Sequence, residues 1–423
     1  MFNNIKREIR DIMKPMTAIK NPGTYIVNIK DREGYVGDIT VEHRSNNPKR
    51  DFLFVNKKQC KHIPCSPSAM IKMCDALAGV INSGLVSRND YKDLNVLVIG
   101  FAETATAIGT IVGDRVVRAA YVLHTTREEV ENSIEAITFE ETHSHATTQK
   151  LLITPDDFNF DDYNYILFVE DEISTGNTIL NFISAFEEQH NLDEKRRKIR
   201  NISYGVASIC NWQDKGMREV FRVAGIDTFA LINGELRDAS VKMFNNEDIK
   251  LIESASFSDK ASVEVSYRET HLDTFFENRT GHCVNRTVCN DYMQKVFKEI
   301  YNQYSEYESV RVIGTEECME TAIMLGKYFE DKKHHVVCHA TTRSKIDVLT
   351  SFFDGEADGI KSIYQVPSAY DKDRNTFIYN MSENYELILL VTDSKNDECV
   401  QALTDRLSDI CNKETKHIGV IRV

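Results

Sequence analysis

Short apolar runs recur along the chain, and each gives way to small or polar residues before hydrophobic positions restart at helical spacing. In the first half these runs are Phe52 to Val55, Val96 to Ile99, Ala119 to Leu123, Ile166 to Val169, Ile202 to Ile209 and Thr228 to Ile232. They are rich in β-branched and bulky residues, which predicts strands buried on both faces. Between them the spacing predicts helices from Ser68 to about Ser83, from Glu103 to Val112, and through Ile179, Leu180, Phe182 and Ile183. Strand, helix and strand in succession predict an α/β fold with a parallel sheet and ligands at the carboxyl ends of its strands. Tyr25 to Val41 alternates as a hairpin would, with Asp31-Arg32-Glu33-Gly34 as its turn, and Asn233-Gly234 reads as a turn at the sheet edge. The stretch from Arg237 to about Val265 is polar and aperiodic, so the boundary falls there, with one domain over 1–255 and another over 256–423.

The second domain echoes the first. ESVRVIGTEECMETAIMLG (Glu308 to Gly326) matches LNVLVIGFAETATAIG in its strand, in Gly314 for Gly100, in Glu317 for Glu103 and in its helix. HHVVCHATTRS (His334 to Ser344) matches AAYVLHTTRE, with Thr-Thr-Arg closing both strands. NYELILLVTDSKND (Asn384 to Asp397) matches NYILFVEDEISTGN, although no Ser-Thr-Gly follows Asp393. Similar order and spacing predict two tandem copies of one α/β fold, the second degenerate. Two unrelated α/β domains with similar strand ends are the alternative.

Two domains also suit a length of 423 residues. Apolar content of 42% with 27% charged residues is that of a soluble globular protein. A formal charge of −14 argues against nucleic acid as a partner and leaves room for a small anion held by local cations. Lys57, Lys58, Lys61 and His62 form one such basic patch, read either as solvated surface or as an anion contact. No apolar run approaches the ~20 residues of a membrane span, and MFNNIKREIRDIMKPM reads as an amphipathic helix. The expectation is a cytoplasmic protein without a membrane partner. Ten cysteines without a CxxC pair fit reduced thiols better than a disulfide or zinc framework. Cys60 and Cys65 near His62, and Cys283 and Cys289 near His282, are too isolated for a metal site.

Candidate chemistry concentrates in NYILFVEDEISTGNTILN, Asn164 to Asn181. An apolar strand ends in Glu170, Asp171 and Glu172, then Ser174, Thr175, Gly176, Asn177 and Thr178 lead into a helix. Hydroxyls and free backbone N–H groups at a helix N-terminus suit a phosphate, and carboxylates before them suit ribose hydroxyls. An ordinary β–α corner with a Ser/Thr cap is the plainer reading. The connection from Glu128 to Lys150 is long and polar, which suits a mobile loop. It holds His143 and His145, incidental in such a loop or a metal pair.

VEDEISTGNT resembles the diphosphate-sugar loop of type I phosphoribosyltransferases, with Glu170 where aspartate is usual. Together with GFAETATA and FEETHSHAT it is similar to the orotate-type phosphoribosyltransferase domain of bacterial tellurite-resistance and stress gene clusters. In that family a second domain is named for a Thr-Arg-Ser-Pro motif. Thr342, Arg343 and Ser344 match it, Lys345 stands in place of the proline, and RNTFIYN (Arg374 to Asn380) is also similar. The resemblance covers about Arg50 to the C-terminus and implies two phosphoribosyltransferase-like domains with Rossmann-like parallel sheets. It implies transfer of phosphoribose from phosphoribosyl pyrophosphate (PRPP) to a nitrogenous base-like acceptor, in the making of a nucleoside-like metabolite.

By this resemblance Gly100, Ala102, Glu103 and Thr104, within Gly100 to Thr106, face the pyrophosphate, and Ser174 to Thr178 hold the 5′-phosphate. Glu170 and Asp171 hold the ribose and, with Mg²⁺, the metal. Arg127, His143 and His145 supply charge or a proton. Glu317, Arg343, Ser344, Arg374 and Asp393 are the second-domain candidates, as a second site or as packing in a built-in dimer. A homodimer of the whole chain fits the habit of such enzymes to pair. A non-catalytic PRPP or nucleotide-binding regulator, and an enzyme cleaving an N-glycoside, remain the alternatives.

Overall fold

The apolar runs of the first half do form strands, and the reason is burial on both faces. The structure, a computed structural model, describes residues 25–31, 34–44, 52–130, 133–140, 148–153, 158–190, 192, 201–237, 263–270, 281–283, 287–346 and 360–423. The chain divides into two units, Met1–Val41 with Cys74–Asn245, and Glu42–Met73 with Asn246–Val423. The later division lies inside the polar stretch from Arg237 to Val265. The proposed amphipathic helix at the N-terminus, His143 and His145, the residues 238–262, and the side chains of His282, Cys283 and Cys289 lie outside the described residues.

In chain order the strands are β1 (Tyr25–Asp31), β2 (Ile39–His43), β3 (Phe52–Asn56), β4 (Val96–Gly100), β5 (Ala119–Thr126), β6 (Ile134–Glu140), β7 (Thr148–Ile153), β8 (Tyr165–Ile173), β9 (Ser203–Asn211) and β10 (Ile226–Arg237). The helices among them are α1 (Pro67–Val86), α2 (Ala105–Gly113), α3 (Asn177–Gln189) and α4 (Lys215–Val223). The first unit's sheet runs β1-β10-β9-β8-β4-β5-β7-β6. From β10 to β5 its strands are parallel. Antiparallel strands close both edges, β1 on β10 and the β7–β6 pair on β5.

Three expectations change here. The run from Tyr25 does not fold back as a hairpin, because β1 pairs with β10 and a 3₁₀ turn, Tyr35–Asp38, follows it. Alternation reports which face is buried and leaves the partner open. Asn233-Gly234 is no turn, since Asn233 lies opposite Lys30 on one side and Asn211 on the other, within β10. The polar connection from Glu128 to Lys150 contains β6 and pairs with β7, and Ile137, Phe139 and Leu151 are buried. Phe139 packs edge-on to Phe182 at 5.1 Å and to Phe101 at 5.7 Å, so aromatic burial rather than polarity decides this segment.

Helix α1 is long and apolar enough to cross a membrane by length and composition alone. Met70, Met73, Cys74, Leu77, Ala78, Ile81 and Leu85 line its buried face at helical spacing, as in a core helix.

The second unit adds β11 (Glu264–Glu269), β12 (His282–Cys283), β13 (Ser309–Gly314), β14 (His335–Ala340), β15 (Ile363–Pro367), β16 (Asn375–Tyr379), β17 (Leu387–Thr392) and β18 (His417–Arg422). Its helices are α5 (Thr287–Tyr304), α6 (Glu320–Asp331) and α7 (Asp397–Ile410). Its sheet runs β11-β18-β17-β13-β14, all parallel, and β15 and β16 form an antiparallel ribbon. The order β17-β13-β14 reproduces β8-β4-β5, so the sequence echo is a repeat of topology.

The basic patch belongs to this second unit, with Lys57 and Lys58 half-buried and Lys61 and His62 buried. Cys65 and Cys338 exchange backbone hydrogen bonds of 3.1 and 2.8 Å, and the carbonyl of Lys61 accepts from the N–H of Ala340. The segment therefore lies along the edge of β14, which buries Lys61 and His62. Val55 and Ile63 join Ile346, Ile360, Ile363 and Tyr379 in one apolar cluster.

Beneath the β15–β16 ribbon, Arg311 donates to the carbonyl of Asn380 at 2.9 Å and lies 4.6 Å over the Tyr385 ring. Burial pushes its guanidinium down to about 10. His339, with Nε2 3.5 Å from Arg311 Nη1, is held neutral, first by burial and then by that charge, well below its ordinary 6.5. The unfolded chain takes up a proton at this histidine below pH about 6.5 and the folded one does not. The second unit should therefore lose stability as the pH falls through that value, by at most about 1.4 kcal/mol per pH unit. Urea unfolding across the acid range should show this slope, and His339→Gln should flatten it.

Candidate functional site

Each sheet reverses its strand order once. In the first unit the chain passes from β4 to β5 on one side and returns to β8 on the other. In such sheets the crevice at the carboxyl ends of the strands beside this switch, here β4 and β8, is the usual ligand site.

The first wall is the loop after β4. Phe101 N–H donates to the carbonyl of Val169 at 3.0 Å, which ties it to β8. The N–H of Ala102 donates to Thr125 Oγ1 at 2.8 Å, which ties it to β5. Thr125 Oγ1 also bonds Gln149 Oε1, and Gln149 Nε2 donates to the carbonyl of Ala102 at 3.0 Å. The Ala102-Glu103 peptide is cis. A Cβ on Gly109 would stand 2.8 Å from Gly100 Cα, so helix α2 sits directly against the strand. Gly100, Ala102, Glu103 and Thr104 thus line one side, with Glu103 buried.

The other wall is the end of β8 and the start of α3. Glu170, Asp171, Ser174, Thr175, Gly176, Asn177 and Thr178 are all half-buried, as ligand-facing groups are. Gly176 is the N-cap of α3 at φ +81°, its first turn carries no acid, and Asn177 N–H donates to Thr175 Oγ1 at 3.3 Å. The positive dipole end of the helix favours an anion there. Behind the loop, Gln213 Nε2 donates to the carbonyl of Thr175 at 3.1 Å, and Trp212 N–H to that of Ile173 at 2.7 Å. Arg127 follows Thr125 and Thr126 at the end of β5, on the same edge of the sheet, and is half-buried. Thr125, Gln149 and Gln213 were not foreseen, because their work appears only when distant strand ends meet.

The second unit repeats this frame nearly bond for bond. Thr315 N–H donates to the carbonyl of Val391 at 3.1 Å, as Phe101 does to Val169. Glu316 N–H donates to Thr341 Oγ1 at 3.1 Å, as Ala102 does to Thr125. Ser344 N–H donates to Thr342 Oγ1 at 3.1 Å, as Glu128 does to Thr126, also at 3.1 Å. The candidates Glu317, Arg343, Arg374 and Asp393 gather at this crevice, around a residue the sequence left unremarked. Arg343 Nε donates to Glu316 Oε2 at 2.6 Å, and Arg374 Nη2 lies 3.4 Å from the same oxygen. Ser368 donates to Glu316 Oε1 at 2.5 Å, and Arg343 Nη2 is 3.9 Å from Glu317 Oε1. Asp393 accepts from the Tyr370 hydroxyl, whose oxygen also lies 3.1 Å from the carbonyl oxygen of Thr315. Ser344 contributes backbone only to these contacts.

The phosphoribosyl transferase family matches residues 39–235, and the TRSP domain that follows it in that family matches residues 279–407. No curated protein matches the chain. Among solved structures, the adenine phosphoribosyltransferase of Giardia lamblia, bound to 9-deazaadenine, is 13% identical with a TM-score of 0.32, over 46% of this chain and 94% of that one. That of Saccharomyces cerevisiae is 9% identical with a TM-score of 0.32, over 47% and 96%. The orotate phosphoribosyltransferase of Aeropyrum pernix is 14% identical with a TM-score of 0.23, over 39% and 71%.

Gly176 is the residue on which the geometry of the loop turns. A Cβ there would run into the Phe221 ring, at a φ that side chains rarely adopt. Gly176→Ala should cost about 2–4 kcal/mol from strain and overpacking together. Urea unfolding measures the loss. The emission of Trp212, the single tryptophan of the chain, should shift in the same variant because its backbone is bonded to this corner.

Proposed function

Since the chain belongs to the phosphoribosyl transferase family that carries a C-terminal TRSP domain, we propose that its first crevice transfers phosphoribose from PRPP to a nitrogenous acceptor. The observation that carries this is the contrast between two equivalent helix starts. Helix α3 opens on Gly176 with no acid in its first turn, and Asn177 N–H donates to Thr175 Oγ1 at 3.3 Å. Helix α7 is capped by its own Asn396, which accepts from Cys399 N–H, and its first turn carries Asp397 and Glu398. A phosphate is attracted to the first and repelled by the second.

On this reading Ser174 to Thr178 hold the 5′-phosphate, with hydroxyls and backbone N–H groups donating. Glu170 and Asp171 accept from the ribose hydroxyls. The Ala102-Glu103-Thr104 loop faces the pyrophosphate, and Arg127 adds positive charge from the end of β5. The bond from C1 to the pyrophosphate oxygen breaks with its electron pair leaving on pyrophosphate. The acceptor nitrogen then bonds C1 and loses its proton. Positive charge gathers on C1 and the ring oxygen between these events, so fixed carboxylates and tight positioning supply most of the rate.

The donor set fits Mg²⁺. Glu170 and Asp171 are hard oxygen donors, and among the described residues no cluster of three metal-ligating side chains exists. Mg²⁺ is commonly shared between one or two carboxylates and substrate phosphates. Bound there it would neutralise charge on the leaving group. The finer reading is of a cytoplasmic enzyme making a nucleoside-like metabolite in a tellurite-resistance or stress setting.

Incubating the chain with Mg²⁺, PRPP and a panel of bases should release pyrophosphate with one of them. Asp171→Asn should lower that release by about 10²-fold or more while leaving the unfolding curve in place. Full turnover by the variant would overturn the assignment. PRPP binding without release for any acceptor would favour a regulator instead.

A further inference from the structure

The backbone matches described above set Ala102 opposite Glu316, Thr125 opposite Thr341, and Arg127 opposite Arg343. At one position, therefore, a buried alanine of the first unit is replaced by a buried carboxylate in the second. We propose that the second crevice is an anion site whose anion is built in. The Glu316 carboxylate takes the place an external phosphate would fill, so this unit binds no sugar phosphate.

The contacts make the case. Glu316 is fully buried, and a buried carboxylate is tolerated only when its oxygens are satisfied. Both are, by Arg343 and Arg374 on Oε2 and by Ser368 on Oε1. Two guanidinium groups and a hydroxyl converging on one small anion form the arrangement that proteins use for phosphate or carboxylate ligands. Ser368 Oγ in turn accepts from Arg374 Nε at 3.2 Å and Nη2 at 3.1 Å, which fixes the second guanidinium in place. The arginines keep 18% and 22% of their side-chain surface exposed, so the site faces the crevice rather than the core. A phosphate entering here would have to displace Glu316 and leave its charge buried without partners. The other phosphate position is closed as well, by the Asn396 cap and the acids of the first α7 turn. Any ligand of this crevice must therefore carry no phosphate. The inference stands on the second unit's own contacts and does not depend on what the first crevice catalyses.

The test is chemical replacement of the missing anion in the full chain. Glu316→Ala installs the first unit's residue, and at φ +48° alanine is no more strained than glutamate. The variant should melt at lower temperature, and acetate should restore part of the loss. Sodium chloride at equal ionic strength should not, and acetate should leave the wild type unmoved. Should that variant fail to fold, Glu316→Ser vacates the carboxylate's place while keeping a polar side chain. By equilibrium dialysis it should bind one more inorganic phosphate per chain than the wild type, and a further Arg374→Gln should remove it. Rescue by acetate no greater than by chloride, or no extra phosphate in Glu316→Ser, would overturn the proposal. So would a wild type that loses one bound phosphate on Arg374→Gln alone.

Discussion

Both crevices hang on one hydrogen bond, from the backbone N–H two residues past a central strand to the threonine near the end of its neighbour. Ala102 donates to Thr125 in the first unit, and Glu316 to Thr341 in the second. Each bond fixes the height of the loop after the switch-point strand and so sets what its next residues can face. It also leaves the threonine unable to turn away, so the arginine two residues later leaves the sheet in a fixed direction. A parallel sheet alone offers a crevice. This bond gives the crevice a wall.

With the wall held constant, side chains decide the chemistry. Ala102 adds only a methyl group and leaves the anion position to whatever enters. Glu316 fills the equivalent position with a charge and recruits Arg343, Arg374 and Ser368 to it. The same division holds at the opposite wall. Helix α3 opens on Gly176 with no acid in its first turn, whereas α7 is capped by Asn396 and carries Asp397, paired with Arg422, and Glu398.

How much of this was legible in the sequence depended on range. The Glu170 to Thr178 corner could be read because every part of it is contiguous, and the pairing of the two units could be read because strand ends repeat in order. The partner of β1 could not, since alternation in Tyr25–Asp31 is the same whichever strand lies beside it. The hairpin around Phe139 was hidden by its polar face, although Ala136, Ile137 and Phe139 with Leu151 and Leu152 carried the signal. Lys61 and His62 looked solvated because no local pattern marks a segment that lies along the edge of β14. Glu316 was visible in retrospect as one of the two mismatches between GFAE and GTEE, and the one that introduces a charge. Ser368 and Tyr370 had no such signal, because the β15–β16 ribbon shares its place in the chain order with β6–β7 but not its sequence.

The contrast also explains why one crevice suits chemistry and the other does not. A site that takes up and releases a charged substrate cannot commit its cations elsewhere, because each turnover would then break a buried ion pair, at several kcal/mol. A repeat no longer used in this way is under no such constraint. Its arginines can close on an internal carboxylate, and the crevice becomes a rigid, self-satisfied corner. The Ala102 and Glu316 positions are therefore the point at which two copies of one fold separate into an open site and a closed one.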